Sequence, residues 1–398
     1  MENTNEASSK MASKKVTILG GGPSGLLLAR LLTLANVPCE VLESDLSMDS
    51  RHQGGMLDIH EDTGQVALRR AGLYEAFRDA VMEGADALRV LDRNTAVHLD
   101  QLGNGQRPEI DRGSLRKLLS ASLPDAVVRW NTRVTFIHRA ECGFVLTMAD
   151  GQQETAETIV GADGAWSRVR PLLTEAVPTY TGVVFIDLRF RDALNRHPVA
   201  ARLVGDGLMF ALSNNRGFIG HREPEGEVDI YALVRLAEAY FPVESTAEAF
   251  RPYFADWHPD YQTLLTRNDG FAIRPLYMLP VGLRWPSAPD ATLLGDAAHL
   301  MSPFAGEGVN QSLADAADLA EQIVGHPNDF ESAFAAYEER MYYRSAKIAA
   351  ESARMLDVLI SPDPLPVLLD FFSDMAVEPM EHIEPLTAIN HRPREGKK

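Results

Sequence analysis

Hydrophobic positions near the N-terminus predict a strand, a helix and a second strand in close succession. Val16 to Leu19 is a short apolar run bounded by glycine, as in a buried parallel strand. Leu26 to Asn36 is apolar nearly all round, which is typical of a helix covered on every side. Cys39 to Glu43 reads as a second short strand. The pattern therefore predicts a βαβ unit at the start of the chain.

From about residue 176 the hydrophobic pattern changes to period two, which predicts antiparallel strands. The predicted strands of this region are 183–190, 207–212, 217–220 and 228–235. Together they would form a meander-like sheet with one half-buried face. A sheet of this kind beside a ligand-binding domain commonly forms the wall of a substrate pocket.

The remaining segments complete an α/β fold. Further strands are predicted at 87–91, 96–99, 127–130, 133–138 and 143–148, with two more starting at 158 and 291. Helices are predicted at 61–71, 246–257 and 330–360. A further helix begins with Asp111 or Ser114 as its N-cap, and a long one follows 303–313. These elements predict a Rossmann-like domain with an inserted β-sheet domain and a long C-terminal helix that braces the two.

Composition narrows the possible functions. The chain has 398 residues and a formal net charge of −18, which disfavours binding to nucleic acid or to an anionic membrane surface. Three consecutive glycines, Pro23 and Arg30 indicate that the apolar region 16–37 is a strand, turn and helix and not a membrane span. Cys39 and Cys142 form no CxxC, and the eleven histidines show no HExxH spacing. We therefore expect no disulfide, no metal site and a cytoplasmic location.

Three glycines after the first strand carry the clearest chemical signal. Gly20, Gly22 and Gly25 have the spacing GxGxxG, with Ser24 inside the motif. The first permits a tight turn, the second lets backbone amides approach a pyrophosphate, and the third lets the helix pack closely on the strand. Glu43 ends the second strand, where a carboxylate can accept hydrogen bonds from a ribose. This context predicts a dinucleotide site, and the alternative is a glycine-rich turn in an ordinary α/β protein.

Cations and glycines elsewhere suggest further ligand contacts. Arg51 stands beside two adjacent glycines, which indicates either a close approach to a flat or anionic group or a solvated loop. Arg112 and Arg116 lie at a helix start and could serve phosphates or form a solvated helix face. Gly306 and Gly308 precede a long helix, whose free amides can stabilise negative charge, although they could also form a purely structural helix start.

Three motifs in this order resemble a known family. They are Gly20–Gly25 with Glu43, 161–164 with Ser167 and Arg168, and 295–299 with Pro303 and 306–310. Together they resemble the fingerprints of class A FAD-dependent aromatic monooxygenases, which have the p-hydroxybenzoate hydroxylase fold. The resemblance covers about residues 14–355. Within that family, residues 51–60 and 295–310 look most like the tetracycline-inactivating flavin monooxygenases.

The resemblance implies roles for individual residues. Glu43 would bind the adenosine ribose, Asp296 the flavin ribitol, and Pro303 to Asn310 would flank the isoalloxazine ring. Pro303 and Gly306 would be the catalytic residues of that loop. The implied cofactor-binding residues are Gly20, Gly22, Ser24, Gly25, Glu43, Arg51, Arg112, Asp163, Arg168, Asp296, Gly306, Gly308, Val309 and Asn310. Asp163 and Arg168 belong to a motif that the family links to both FAD and NADPH.

The resemblance also implies an activity. FAD would be non-covalent, NADPH or NADH would reduce it as a transient co-substrate, and O2 would form a flavin C4a-hydroperoxide that hydroxylates a phenol or enol. The protein would act as a monomer on a small-molecule aromatic or polyketide substrate. An FAD-dependent reductase or oxidase on the same fold, a hydroxylase of a small aromatic acid, and a non-catalytic flavin-binding protein are the alternatives. Antibiotic resistance, biosynthesis and catabolism all stay open as its role.

The substrate sheet departs from the tetracycline enzymes. They hold their substrate with an arginine and a histidine, and this chain has Gly207 and Asp229 at those places. The apolar middle of the sheet favours a large polycyclic phenol or enol of the tetracycline or polyketide type over a small benzoate. The missing arginine and histidine count against tetracycline itself. The predicted substrate-binding residues are Met209, Phe210, His221, Asp229 and Phe304. For His221 and Asp229 the alternative is a place on the exposed face of the sheet.

The same reasoning divides the chain into segments. Residues 1–13 would be a disordered tail, and 330–398 the C-terminal helix and tail. The FAD-binding domain would comprise 14–78, 107–175 and 271–329, and the substrate domain 79–106 and 176–270.

Overall fold

The computed structural model describes residues 14–50, 55–105, 107–237 and 246–375. The predicted tail at 1–13 and the candidate cofactor residue Arg51 lie outside the described residues. Within the described part, strands and helices alternate at first, and an antiparallel region follows. The α/β class predicted from the sequence is confirmed.

One strand of the described residues is 12 residues long, and each of the others has 9 residues or fewer. In chain order they are β1 (Val16–Leu19), β2 (Cys39–Leu42), β3 (Met56–Asp58), β4 (Leu88–Leu91), β5 (Val97–Gln101), β6 (Glu109–Asp111), β7 (Val128–Arg129), β8 (Val134–Arg139), β9 (Phe144–Met148), β10 (Gln153–Ala156), β11 (Thr158–Gly161), β12 (Thr179–Phe190), β13 (Leu208–Ser213), β14 (Arg216–Arg222), β15 (Val228–Arg235), β16 (Gly270–Met278) and β17 (Ala291–Leu293).

The two longest helices of the described residues lie near the C-terminus and have 18 and 30 residues. They are α1 (Pro23–Leu34), α2 (Gly64–Arg70), α3 (Tyr74–Ala80), α4 (Arg112–Ala121), α5 (Ala193–Arg196), α6 (Pro198–Val204), α7 (Pro259–Thr266), α8 (Asp296–His299), α9 (Gly308–Gly325), α10 (Phe330–Leu359) and α11 (Leu365–Met375). The helix predicted at 246–257 is a 3₁₀ segment, Ala247–Phe254, with Pro252 inside it.

A five-stranded parallel sheet in the order β17-β11-β1-β2-β7 forms the first part of the fold. Its strands β1 and β11 are fully buried. Helices and the three-stranded antiparallel sheet β10-β9-β8 contribute to the same core. Leu26, Leu27 and Leu28 of α1 are buried as well, and α1 packs against α9. A βαβ unit therefore stands at the centre of this part.

A seven-stranded sheet in the order β16-β12-β15-β14-β13-β4-β5 forms the second part. Its neighbouring strands are antiparallel except for β13 and β4, which are parallel. The sequence predicted that the chain leaves this sheet at 271. That boundary is wrong, because β16 pairs with β12 as far as Met278.

Both faces of the seven-stranded sheet are buried over much of their area, whereas the sequence predicted one half-buried face. One face packs Ile186, Met209 and Phe218 against the helical residues Phe254 and Tyr261. We call this the back face. The opposite face, here called the front face, carries Phe185 and Phe210 among its apolar residues.

The helix α10 joins the two parts, as predicted. Its first half buries Phe334 and Tyr337 in the core of the parallel sheet. Its second half buries Met355 and Leu359 on the front face of the seven-stranded sheet. Because one continuous helix belongs to both cores, it braces them against each other.

Candidate active site

Four predicted motifs come together at one edge of the parallel sheet. Gly20 follows β1, Glu43 follows β2, Asp163 follows β11 and Asp296 follows β17. These strands are adjacent and parallel, so their carboxyl ends lie along the same edge. The chain passes from β1 to β2 on one side of β1 and returns with β11 on the other. Open α/β sheets bind ligands at the carboxyl edge where the strand order reverses in this way.

The glycine turn after β1 separates structural from ligand-related glycines. Gly20 has φ +107°, and a side chain there would strike the Ala162 carbonyl oxygen. A side chain at Gly25 would strike the Gly20 carbonyl oxygen. At Gly22, in contrast, a Cβ would meet no heavy atom within 4 Å. The geometry of an ordinary glycine-rich turn explains why Gly20 and Gly25 are glycines, but it gives no reason for a glycine at position 22.

Glu43 is held beside this turn. Its Oε2 accepts a hydrogen bond from the Gly21 N–H at 2.5 Å, and its Oε1 accepts one from the Asp45 N–H at 2.7 Å. Arg116 is only 2% exposed and donates to the Gly21 carbonyl and to Asp45, each at 2.8 Å. Arg116 is therefore neither part of a solvated helix face nor a phosphate ligand, because the protein uses its guanidinium to fix the turn.

The loop after β11 contains a buried carboxylate. Asp163 Oδ2 accepts a hydrogen bond from the Arg168 backbone N–H at 2.6 Å, while Oδ1 is buried without a partner among the described residues. Burial raises the pKa of Asp163, although the Ser167 hydroxyl opposes this. The Arg168 side chain is exposed. Arg170 is buried and donates to the carbonyls of Ala165, Ala176 and Ala297, which ties this loop to the one that carries Asp296.

Asp296 is the first residue of α8 and its side chain is open to solvent. Protein atoms nevertheless surround it on its other sides, and this desolvation raises its pKa. The turn at Gly295 is fixed from behind by buried Asp315, which accepts from the Gly295 N–H at 2.9 Å and lies 2.6 Å from His299 Nε2. Arg344 donates to the other Asp315 oxygen at 2.7 Å. The sequence named His299 within its motif but gave no reason to link Asp315 and Arg344 to it.

The loop that leads into α9 is open at its glycines and anchored at its asparagine. Gly306 has φ +67°, and neither it nor Gly308 has a heavy atom near its Cβ position. Val309 is half-buried. Asn310 is fully buried, accepts from the His60 N–H at 2.9 Å and donates to the Asp58 carbonyl at 2.9 Å. Its side-chain amide therefore positions the start of α9, and the cofactor contact of Asn310 stays a prediction.

A partly buried histidine is paired with two carboxylates beside this loop. His60 lies 3.4 Å from an Asp58 oxygen and 3.2 Å from a Glu307 oxygen. Burial alone would lower its pKa, but the two carboxylates outweigh burial and raise the pKa to about 10. His60 is thus an imidazolium at neutral pH, next to the N-terminus of α9. Sequence reasoning assigned it no role, since one of its two carboxylate partners, Glu307, lies in a distant segment.

Arg112 connects the two parts of the site. It begins α4, and its backbone N–H donates to the Gly55 carbonyl at 3.2 Å. Its positive charge acts to lower the pKa of both Asp296 and Tyr231. The guanidinium therefore lies within electrostatic reach of the parallel sheet's carboxyl edge and of the front face of the seven-stranded sheet.

Three aromatic rings link the α9 loop to that front face. The Phe304 ring centroid lies 5.9 Å from that of Phe185 on β12, in an edge-to-face contact. The Phe185 ring lies 5.3 Å from Tyr231 on β15. We call Phe185, Tyr231 and Phe304 the ring wall. Burial raises the pKa of Tyr231 to about 12, so its hydroxyl stays protonated.

One of the predicted substrate residues lies on the wrong face of the sheet. Met209 is fully buried in the core of the back face, where it cannot reach the ring wall. Phe210, one residue later, points to the front face, and its ring lies 5.3 Å from Phe372 of α11. Gly207 makes no room for a ligand either, because a side chain there would strike the Ala85 and Ala87 carbonyl oxygens.

His221 and Asp229 face each other across β14 and β15, and neither is on an exposed surface. His221 Nε2 lies 2.6 Å from Glu109, and Nδ1–H donates to the Arg222 carbonyl at 2.7 Å. Burial lowers the pKa of His221, but Glu109 outweighs it and the net pKa is raised. Nδ1 is thus used within the protein. Nε2 lies at ion-pair distance from Glu109 but has no hydrogen-bond partner among the described residues, so the substrate contact of His221 stays a prediction. Asp229 is buried, and this raises its pKa to about 6.

Sequence reasoning missed Asp187 beside Asp229. Asp187 is buried on β12, opposite Tyr231, and accepts from Arg274 Nε at 2.9 Å. The available signal was an aspartate alternating with Phe185 inside a strongly apolar strand. Among the described residues no group of three or more His, Cys, Asp or Glu side chains could hold a metal ion. In the same part of the chain, no helix is both long and apolar enough to cross a membrane.

Comparisons with known proteins agree with this geometry. A family model described as "FAD binding domain" matches residues 13–349. Monooxygenase asqM of Emericella nidulans is 31% identical over 370 residues, covering 78% of this chain and 83% of that protein. Monooxygenase penA of Penicillium thymicola is 30% identical over 400 residues, covering 84% and 92%. The solved structure of tetracycline destructase Tet(51) superposes with a TM-score of 0.74 at 17% identity, covering 91% and 95%, and shows a shared fold.

Proposed function

The chain belongs to the FAD binding domain family and is an FAD-dependent monooxygenase, and from this premise we propose that it uses NAD(P)H and O2 to hydroxylate a phenol or enol. The substrate would lie against the ring wall, on the front face of the seven-stranded sheet. A flat, mostly apolar polycyclic compound of the tetracycline or polyketide type would suit three aromatic rings. Gly207 and Met209 no longer support a large substrate, so the ring wall alone carries that part of the proposal.

One contact carries the proposal. Phe304 follows Pro303 in the loop before α9, and its ring packs on Phe185 of the seven-stranded sheet. The family resemblance assigns this loop to the flank of the isoalloxazine ring. A substrate on the ring wall would therefore be next to the reacting edge of the cofactor, where an oxygen atom can be transferred over a short distance.

The residues at the carboxyl edge suit FAD. Space at Gly22 would admit a pyrophosphate to the free amides of α1, and Glu43 stands where a ribose would be bound. Asp163 offers a buried oxygen without a partner, and Asp296 an open carboxylate. FAD, when bound, supplies the redox and oxygen-transfer chemistry.

The protein's own groups would tune charge and exclude water. The N-terminal amides of α9 point towards the loop of Gly306 and Gly308 and would stabilise an anionic ring. The His60 imidazolium balances one of the two carboxylate charges of Asp58 and Glu307 beside that loop. Tyr231 keeps its proton and would donate a hydrogen bond to a substrate oxygen. Phe185 and Phe304 shield the same space with apolar surface.

The test is an assay of NADPH and NADH oxidation under ¹⁸O2, combined with product mass. Tetracycline, an anthraquinone-type polyketide and 4-hydroxybenzoate would be compared side by side. We expect substrate-stimulated NAD(P)H oxidation and one ¹⁸O atom in the product of a polycyclic compound. Oxidation without ¹⁸O incorporation would indicate a reductase. Coupled hydroxylation of 4-hydroxybenzoate alone would overturn the proposed substrate class.

A variant pair tests the ring wall directly. Phe304→Ala should lower kcat/KM about tenfold or more, because it removes an aromatic contact and admits water, while FAD content stays unchanged. Phe136→Ala is the matched control, since Phe136 is 60% exposed and far in sequence from these elements. Equal activity of the two variants would contradict the assignment of the pocket.

A further inference from the structure

Two buried carboxylates stand together beside the ring wall. Asp187 lies on β12 directly opposite Tyr231, and Asp229 lies two residues before Tyr231 on β15. Residues at these positions share the front face, because their neighbours Ile186 and Ile230 belong to the back-face core. Asp187 and Asp229 are each only 3% exposed. We call them the acid pair.

The acid pair has acceptor atoms that the protein does not use. Asp187 Oδ2 accepts from Arg274 Nε at 2.9 Å, but Asp187 Oδ1 is buried and has no partner among the described residues. Asp229 accepts no hydrogen bond in the described part of the chain, and its pKa is set by burial first and by neighbouring charges second. A buried acceptor without a partner is unfavourable, so Asp187 Oδ1 would gain from a donor supplied by a ligand, and Asp229 offers further acceptor atoms on the same face.

The nearby cations do not donate hydrogen bonds to the free oxygens of the acid pair. Arg274 has a half-exposed side chain and is bound to the other Asp187 oxygen. Arg189 lies opposite Asp229 on β12 and acts on it through charge alone. Glu227 adds negative charge, and His221 Nε2 lies 2.6 Å from a Glu109 oxygen. With a pKa of about 6, Asp229 is ionised at neutral pH, which makes the unpaired acceptors stronger.

We propose that Asp187 and Asp229 form a substrate subsite that binds a hydrogen-bond-donating substituent, an amine or hydroxyl group, and rejects a carboxylate. The subsite rests on the proposed function, because it assigns part of the pocket in which the hydroxylated compound lies. A donor group on a ring held against Phe185 and Tyr231 would satisfy the free oxygens. A carboxylate at the same place would add a third negative charge to a buried pair, which is strongly unfavourable.

The experiment compares four compounds with one ring system. The FAD-loaded enzyme, without NAD(P)H, is titrated with 2-naphthol, 7-amino-2-naphthol, naphthalene-2,7-diol and 7-hydroxy-2-naphthoic acid, and binding is followed by flavin absorbance. We expect the amine and the diol to bind about tenfold or more tightly than 2-naphthol, as for hydrogen bonds to a charged group, and the acid to bind more weakly than 2-naphthol.

Variants locate the effect. Asp229→Asn and Asp187→Asn keep the side-chain shape and should each shift the ratio of amine to acid affinity about tenfold towards the acid. Asp206→Asn is the control, because Asp206 is an exposed acid at the start of β13 and should leave the ratio unchanged. Two non-disruptive variants at separate strands guard against misfolding of either one, and retained FAD confirms a folded site.

The outcomes separate the two proposals. An amine and a diol that bind no more tightly than 2-naphthol, or ratios unaffected by both variants, would overturn the subsite. The same compounds are then incubated with NAD(P)H under ¹⁸O2. The expected binding order without ¹⁸O incorporation would leave the subsite intact and refute the proposed reaction. Hydroxylation with the reverse binding order would do the opposite.

Discussion

Replacing Asp296 with alanine separates cofactor binding from folding. The Asp296 carboxylate is open to solvent, and no hydrogen bond from the described residues reaches it. Its removal should change the free energy of unfolding of the apoprotein by no more than about 0.5 kcal/mol, as for other surface substitutions. If it accepts hydrogen bonds from the flavin ribitol, the loss of a bond to a charged group costs about 1.5–3 kcal/mol. FAD affinity should therefore fall about 10- to 150-fold.

Asp315→Asn is the matched control, and it should behave in the opposite way. Asp315 is fully buried and contacts His299, Arg344 and the Gly295 N–H. Removing its charge leaves the His299 and Arg344 charges without their shared partner, which costs about 3–5 kcal/mol of folding free energy for a broken buried pair. This variant should lower the urea midpoint of the apoprotein, with or without an effect on FAD.

The assay has two parts. FAD is removed, the urea midpoint of each apoprotein is measured, and FAD is then titrated back while its fluorescence is followed. In Asp296→Ala, a tenfold weaker Kd reduces the stabilisation that a fixed FAD concentration provides by about 1.4 kcal/mol. An FAD affinity within twofold of wild type would refute the assignment of Asp296. Destabilisation of its apoprotein as large as that of Asp315→Asn would refute the reasoning about its environment.

Three further predictions concern the cofactor, the glycine turn and a buried charge. FAD should be non-covalent, so acid precipitation should release all flavin into the supernatant, and flavin that stays with the pellet would contradict this. Gly22→Ala should keep the urea midpoint of the wild type but fail to bind FAD. Gly20→Ala should lower the midpoint and also fail to bind FAD, because of these two side chains only the one at Gly20 would strike the backbone. Equal effects of the two variants on the midpoint would argue against an open site at Gly22. The pKa of His60 is raised from 6.5 to about 10, so its stabilisation should be complete below pH 6.5 and be lost as the pH rises towards 10. The stability difference between wild type and His60→Gln, measured in urea, should shrink over that range, and a constant difference would disprove the ion pairs with Asp58 and Glu307.

The sequence alone determined the features that depend on residues near one another in the chain. The bounds of β1 and β15 and the N-cap at Asp111 agree with the structure. The steric demand at Gly20 is likewise a matter of one turn. Period two and period 3.6 express contacts between close neighbours in sequence, so they can be read without knowledge of the fold. Motifs placed after strands also met at one edge, because parallel strands align their carboxyl ends.

Only the tertiary structure decided which face of each strand borders the site. Met209 and Phe210 are both apolar and adjacent, yet they face opposite ways, because helices cover the back face and the α9 loop and α11 cover part of the front face. Alternation along a strand shows which residues share a face. When both faces are buried, it does not show which face borders the site. The pairing of β16 with β12 and the meeting of Asp187 with Asp229 likewise join residues about forty or more positions apart. Contacts of that range depend on how the sheet is ordered and covered, and no local spacing encodes them.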